Sequence, residues 1–192
     1  MKKLMTTNKL ASEPFFTVQG EGHLLGHPMS FIRMAGCSIG CKSCDTDYTY
    51  RLAMSTEAIV ESVKNMHPHE FTWITGGEPT DHDLSDLITQ LRKSGQKVAL
   101  ATSGIRPAPR VDFLSVSPHG DFVHRIGSEI KLVPLLNGLD IWSLDLLGIQ
   151  FPYKYVMPMH NNQESMNICM EWINRFPAWK LTVQAHKAWG VK

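Results

Sequence analysis

The chain has 192 residues, of which 43% are hydrophobic and 19% charged, with a net charge of +1. This composition is globular rather than disordered, and the length fits one domain, residues 1–192, with a sizeable core. So small a net charge excludes an electrostatic case for nucleic acid or an anionic membrane as the main partner, and no long apolar stretch follows Lys2 and Lys3, so a reducing, cytoplasmic setting is expected.

In chain order, residues 31–34 read as a short strand running into Ala35-Gly36-Cys37-Ser38-Ile39-Gly40-Cys41-Lys42-Ser43-Cys44-Asp45-Thr46, a loop by its glycines and serines. Ser55 opens a helix to about residue 66, with Glu57 in the first turn where the helix dipole favours an anion. Residues 71–75 form a β-branched and aromatic run that ends at Gly76-Gly77-Glu78-Pro79. Leu84, Leu87, Ile88 and Leu91 recur at helical spacing, with Gly95 just past the end. Residues 97–102, 112–117, 129–133 and 153–157 read as short strands. Met166, Cys169, Met170 and Ile173 repeat the helical spacing, and residues 179–184 read as a last strand.

Strands alternating with helices predict a mostly parallel α/β sheet, although the stretch from 98 to 133 is short of helix. A full eightfold barrel takes about 250 residues. An incomplete parallel β/α barrel or open curved sheet is therefore expected. The segments with chemical potential all follow predicted strands, so the carboxyl edge of the sheet would gather them around one cleft.

Cys37, Cys41 and Cys44 lie within eight residues, while Cys169 is remote. Three thiolates on one loop suit three corners of a cubane iron–sulfur cluster and leave one iron open. A zinc site closed by Cys169 or one of the nine histidines ranks second, and a disulfide framework third.

A C-x3-C-x2-C motif followed by a strand ending in Gly-Gly-Glu-Pro resembles the radical S-adenosylmethionine enzymes, whose 4Fe–4S cluster binds the cofactor's amino and carboxylate groups at the open iron. Further stretches at 16–22 (Phe-Thr-Val-Gln-Gly-Glu-Gly), 31–37, 44–46, 75–79, 115–118 and 184–187 (Gln-Ala-His-Lys) resemble the 7-carboxy-7-deazaguanine synthase family. The resemblance implies the conversion of 6-carboxy-5,6,7,8-tetrahydropterin to 7-carboxy-7-deazaguanine, a lyase reaction on the way to queuosine and related deazapurines. It is a radical ring contraction with loss of ammonia. The resemblance also implies a homodimer and a flavodoxin- or ferredoxin-like electron donor. The alternatives are a glycyl-radical activase and a non-catalytic cluster-binding regulator.

By the same resemblance, Cys37, Cys41 and Cys44 hold the cluster. Ser43, Cys44, Asp45, Gly77, Ser117, Pro118, His119, Met157, Pro158, Met159 and His160 fall at S-adenosylmethionine positions. Val18, Gln19, Gly20, Arg33, Thr75 and Lys192 fall at substrate positions, and Thr46 at a magnesium position. Glu21 is read as an acceptor for pterin N–H groups, and His186 as a pocket residue at the end of the last strand. Asp45 is equally suited to bracing the loop. His119, Met157 and Ala101 stand where the family more often has lysine, glutamine and an acid. His67, His69 and His82 read as surface residues, Cys169 as a core thiol, and Trp142, Trp172 and Trp179 as packing.

Overall fold

Three strands open the chain: β1 (Thr7–Leu10), β2 (Phe15–Val18) and β3 (Pro28–Met34). After the cysteine loop come β4 (Leu52–Ser55), α1 (Thr56–Lys64), β5 (Phe71–Gly76), α2 (Ser85–Lys93), β6 (Lys97–Thr102), β7 (Phe113–Val116) and β8 (Glu129–Leu132). The chain then runs through β9 (Tyr153–Val156), α3 (Gln163–Arg175), β10 (Lys180–Leu181) and α4 (Ala185–Trp189). The structure is a computed structural model that describes residues 7–42, 44–66, 68–159 and 162–191.

All ten strands join one sheet in the order β10-β9-β8-β7-β6-β5-β3-β1-β4, with β2 off this path, paired to residues 28–31 of β3, while β1 meets β3 at Met34. From β3 to β10 every pairing is parallel, whereas β1, β2 and β4 are antiparallel additions. With β10 and β4 at opposite ends of the order the sheet is open, which is the incomplete barrel that the sequence predicted.

Helices α1, α2 and α3 form where the sequence placed them. Ser55 caps α1 by accepting from the Ala58 amide at 3.2 Å, and Ile59, Val60 and Val63 form its buried face. In α2 the buried residues are Leu87, Ile88 and Leu91; together the two helices cover Ile32, Ile74 and Leu100 on one face of the sheet. Asn162 caps α3 by accepting from the Ser165 amide at 2.7 Å, and α3 buries Cys169 and Trp172 against Ile130, Leu132 and Val156. Between β6 and β9 the helical elements among the described residues are single 3-10 turns, at Leu136–Gly138 and Ile141–Ser143, so the winding is incomplete there as expected. A second layer of Phe31, Trp73, Ala99 and Phe113 packs on the opposite face of the central strands.

The end of the chain and the antiparallel strands differ from the sequence reading. The last strand is two residues long rather than six, because its neighbour β9 ends at Val156 and Pro158 follows with no N–H to extend a ladder. The chain turns instead into α4, so His186 sits on a short helix and not at a strand end. Strands β1, β2 and β4 were missed; each has four residues and a partly exposed pattern that carries little hydrophobic signal. All four cysteines are free. Cys169 is fully buried in the α3 core, and burial pushes its thiol up to about 12, so it is the core thiol that the helical spacing predicted.

Candidate active site

The cysteine loop leaves the carboxyl end of β3, and its stem is held from the neighbouring loop after β5. The Gly77 amide donates to Met34 O at 3.2 Å and the Glu78 amide to Gly36 O at 3.1 Å. A Cβ on Gly77 would run into the Gly36 carbonyl and the Cys37 Cβ, so only glycine lets the two loops meet. Farther along, Asp81 accepts from the Ser38 amide and hydroxyl at 2.8 and 2.9 Å and pairs with Arg106, while His82 Nε2 bonds Ala35 O at 2.8 Å. On the downstream side, Tyr48 O accepts from the Gly36 amide at 2.8 Å. His82 is thus a brace of the loop and not the surface residue that its isolation in the sequence suggested.

Glu78 explains why an acid sits in the Gly-Gly-Glu-Pro turn. It is 1% exposed, and its carboxylate accepts from Thr80 N (3.0 Å), Thr80 Oγ1 (2.7 Å), Thr102 Oγ1 (2.6 Å), Ser103 N (2.8 Å) and Ser103 Oγ (2.5 Å). Burial alone would raise its pKa; the Ser103, Thr102 and Thr80 hydrogen bonds outweigh that and hold it below the usual carboxylate range. It ties the β5 loop to the end of β6, which fixes the platform under the cysteines.

The donor set fits an iron–sulfur cluster better than a single ion. Cys37 and Cys41 are half-buried and Cys44 exposed. Burial raises the Cys41 pKa and the charges of Cys44 and Cys37 raise it further, so the other two sulfurs lie within electrostatic reach of Cys41. Among the described residues no three His, Cys, Asp or Glu side chains are grouped to hold one metal ion. In a cluster each thiolate binds its own iron, and that does not require convergence on a point.

Beside this loop lies a cleft of about 470 Å³. Val18, Gln19, Gly20, Glu21, Arg33, Asp45, Thr46, Thr75 and His186 all line it, although they come from five separate segments. Its apolar wall is Phe15, Phe31 and Trp73, with Ala101 beside them. Burial lowers the pKa of Arg33, opposed by the nearby charges of Asp45, Cys44 and Asp47, and its guanidinium lies 6.0 Å from the centre of the Phe15 ring. The final segment closes one side: the Ala185 amide donates to Gly20 O at 2.9 Å, and a side chain at Gly20 would collide with the His186 imidazole. Lys187 pairs with Asp45, and Gln184 reaches Glu21 at 3.2 Å and Asp45 at 3.4 Å. Burial would raise the Asp45 pKa, but Lys187 and Gln184 bring it below its usual value; Asp45 therefore braces the loop as well as lining the cleft.

The cofactor-side residues are less gathered. Pro158 and Met159 line an adjoining cleft of about 770 Å³ that shares Gln184 and Lys187 with the first. Gly77, Ser117, Pro118, His119 and Met157 line neither. Ser117 to His119 follow β7 on the same edge; His119 Nδ1 bonds Ser117 O at 2.7 Å, and burial lowers its pKa against the pull of that carbonyl and of Glu78. Ser43, His160, Lys192 and His67 lie outside the described residues. Sequence reasoning missed Lys131 and Asp47 in the cleft and gave Gln184 and Lys187 no role. Lys131 alternates with Ile130 and Leu132 as a solvent-facing lysine would, so its burial leaves no signal in the sequence, whereas Gln184 and Lys187 belong to a motif already in view.

Comparison with known proteins agrees with this arrangement. The Radical SAM superfamily model matches residues 31–126. The 7-carboxy-7-deazaguanine synthase of Bacteroides thetaiotaomicron is 30% identical over 177 residues, covering 92% of this chain and 94% of its own. That of Burkholderia multivorans is 30% identical over 201 residues, covering 91% and 95%. Among solved structures, the crystal structure of QueE from Escherichia coli aligns with a TM-score of 0.73 at 25% identity over 94% of this chain and 95% of that one. On this similarity across nearly its whole length, and on the thiol loop held by its glycine-bearing neighbour, the chain belongs to the 7-carboxy-7-deazaguanine synthase family of radical S-adenosylmethionine enzymes, which work with a 4Fe–4S cluster and S-adenosylmethionine.

Proposed function

We propose that this chain converts 6-carboxy-5,6,7,8-tetrahydropterin to 7-carboxy-7-deazaguanine with release of ammonia. The observation that carries the reading is the convergence of Val18, Gln19, Gly20, Glu21, Arg33, Thr75 and His186 on one cleft beside the cysteine loop. Its volume of about 470 Å³ suits a bicyclic heterocycle.

The cluster and S-adenosylmethionine, when bound through Cys37, Cys41 and Cys44 and the loops at 117–119 and 157–159, supply the radical chemistry. The chain's own residues bind and orient. Arg33 receives the substrate carboxylate in a planar, forked contact that a lysine would not reproduce. Glu21 accepts from N–H groups on the heterocycle, Gln19 and Thr75 add polar contacts, and the imidazole of His186 borders the ring. Phe15, Phe31 and Trp73 exclude water from the reacting face. Thr46, between Asp45 and Asp47, offers oxygen to a magnesium ion whose remaining shell is substrate and water. Among the described residues no helix is long and apolar enough to cross a membrane. Two copies form a homodimer in this reading, and a flavodoxin- or ferredoxin-like protein supplies the electron.

The test is anaerobic reconstitution with iron and sulfide, followed by reaction with the tetrahydropterin, S-adenosylmethionine and a reductant. Mass spectrometry is expected to show 7-carboxy-7-deazaguanine and ammonia. Cleavage of S-adenosylmethionine without deazaguanine, at full cluster occupancy, would reject this substrate.

A further inference from the structure

Lys131 is 4% exposed, yet it lines the cleft. It lies in β8, whose four residues are all buried. Strand alternation puts Glu129 and Lys131 on one face and Ile130 and Leu132 on the other, where they join the α3 core. A lone ammonium so enclosed is expected to shed its proton or lower stability sharply. Here two carboxylates hold it: Glu21 Oε2 at 2.8 Å and Glu129 Oε1 at 3.8 Å.

The two acids have different work. Glu129 is committed to structure, since it accepts from Ser115 Oγ at 2.7 Å and from the His23 amide at 2.5 Å, which fastens the β2–β3 loop to the sheet. Glu21 faces the cleft, with Lys131 on one oxygen and Gln184 on the other at 3.2 Å. Each carboxylate oxygen can accept twice, so Glu21 retains capacity towards a ligand. Burial would raise the Glu21 pKa, but the charge and hydrogen bond of Lys131 bring it below its ordinary value. The lysine is affected in the opposite sense: burial lowers its pKa, and the charges of Glu21 and Glu129 raise it above the usual one.

We propose that Lys131 is a positioning residue that fixes Glu21 as an acceptor-only carboxylate, and that this pair selects a heterocycle presenting amino and ring N–H donors over one of the same shape presenting a carbonyl there. This rests on the pterin reading above and deepens it. A protonated Glu21 would offer a hydroxyl donor to the same edge, and a rotated one would carry its acceptor oxygens away from it; either loses the distinction. Lys131 itself is already taken up by two carboxylates and acts through Glu21.

The test is anaerobic titration of the reconstituted protein with two fluorescent probes, 6-carboxypterin and 6-carboxylumazine, the second carrying a carbonyl in place of the amino group. The wild type is expected to prefer the pterin about tenfold or more, the worth of one good charge-assisted hydrogen bond. Lys131→Met is expected to abolish that preference. Because it leaves two buried acids without their cation, Glu21→Gln serves as a second variant; it keeps the shape and removes the acceptor-only charge, and it too is expected to abolish the preference. Lys131→Met/Glu21→Gln is expected to be no worse than the poorer single variant. A folded Lys131→Met or Glu21→Gln protein with wild-type preference would overturn the proposal, as would losses that simply multiply in the double variant. A wild type that binds neither probe would instead overturn the pterin reading itself, so the two failures are distinct.

Discussion

Cys41→Ala is expected to lose the cluster outright, iron falling from about four atoms per chain in the reconstituted wild type to a small fraction of that. S-adenosylmethionine cleavage is expected to fall below detection with it. Cys41 is half-buried and within the electrostatic reach of both Cys37 and Cys44, so its removal takes one corner from a three-cornered site and nothing on the loop replaces it. Cys37→Ala and Cys44→Ala should behave alike. Cys169→Ala provides the contrast: that thiol is sealed in the α3 core with a pKa pushed up to about 12, so iron content should be unchanged. Iron and sulfide analysis after gel filtration reads all four variants. Retention of iron in Cys41→Ala, or its loss in Cys169→Ala, would mean that the ligand set is wrong.

Glu78→Ala is expected to cost about 3–5 kcal/mol of stability, because it strands five donors on Thr80, Thr102 and Ser103 in a site 1% exposed. For a chain of this length that corresponds to a fall in Tm of roughly 6–20 °C. The effect has a defined pH dependence. Hydrogen bonding holds the folded-state pKa of Glu78 below its unfolded value, so the contribution is fully present above the ordinary glutamate pKa, about 4.3, and fades as pH falls through the depressed folded value. Thermal melts of wild type and variant should therefore differ most near neutrality and converge in acid. Equal stability at pH 7 would remove Glu78 from its role as the strut between β5 and β6.

The parallel half of the fold was legible because its strands are buried on both faces and its helices carry full apolar stripes, as in residues 71–76 and in Leu87, Ile88 and Leu91. The antiparallel strands β1, β2 and β4 were not, since four half-exposed residues give no period to read. In the site, short contiguous motifs showed through: the thiol loop, the glycine pair and the segment at 18–21. What stayed hidden were residues whose role depends on partners far away in the chain. Lys131 meets Glu21 across 110 positions and Lys187 meets Asp45 across 142. Glu78 was visible as part of a motif, but its function as a buried anchor appears only when Thr102 and Ser103 arrive from β6 and its end. His186 was found for a partly mistaken reason: it reaches the cleft from α4, not from a strand end.

The central claim is that three thiolates leave one iron of the cluster free for the amino and carboxylate groups of S-adenosylmethionine. Electron paramagnetic resonance of the anaerobically reconstituted and reduced protein, recorded before and after the cofactor is added, tests this most directly. The account predicts a reduced-cluster signal whose g-values shift on addition. A fully loaded sample whose spectrum ignores S-adenosylmethionine, or a protein that takes up zinc in place of iron and sulfide, would contradict it.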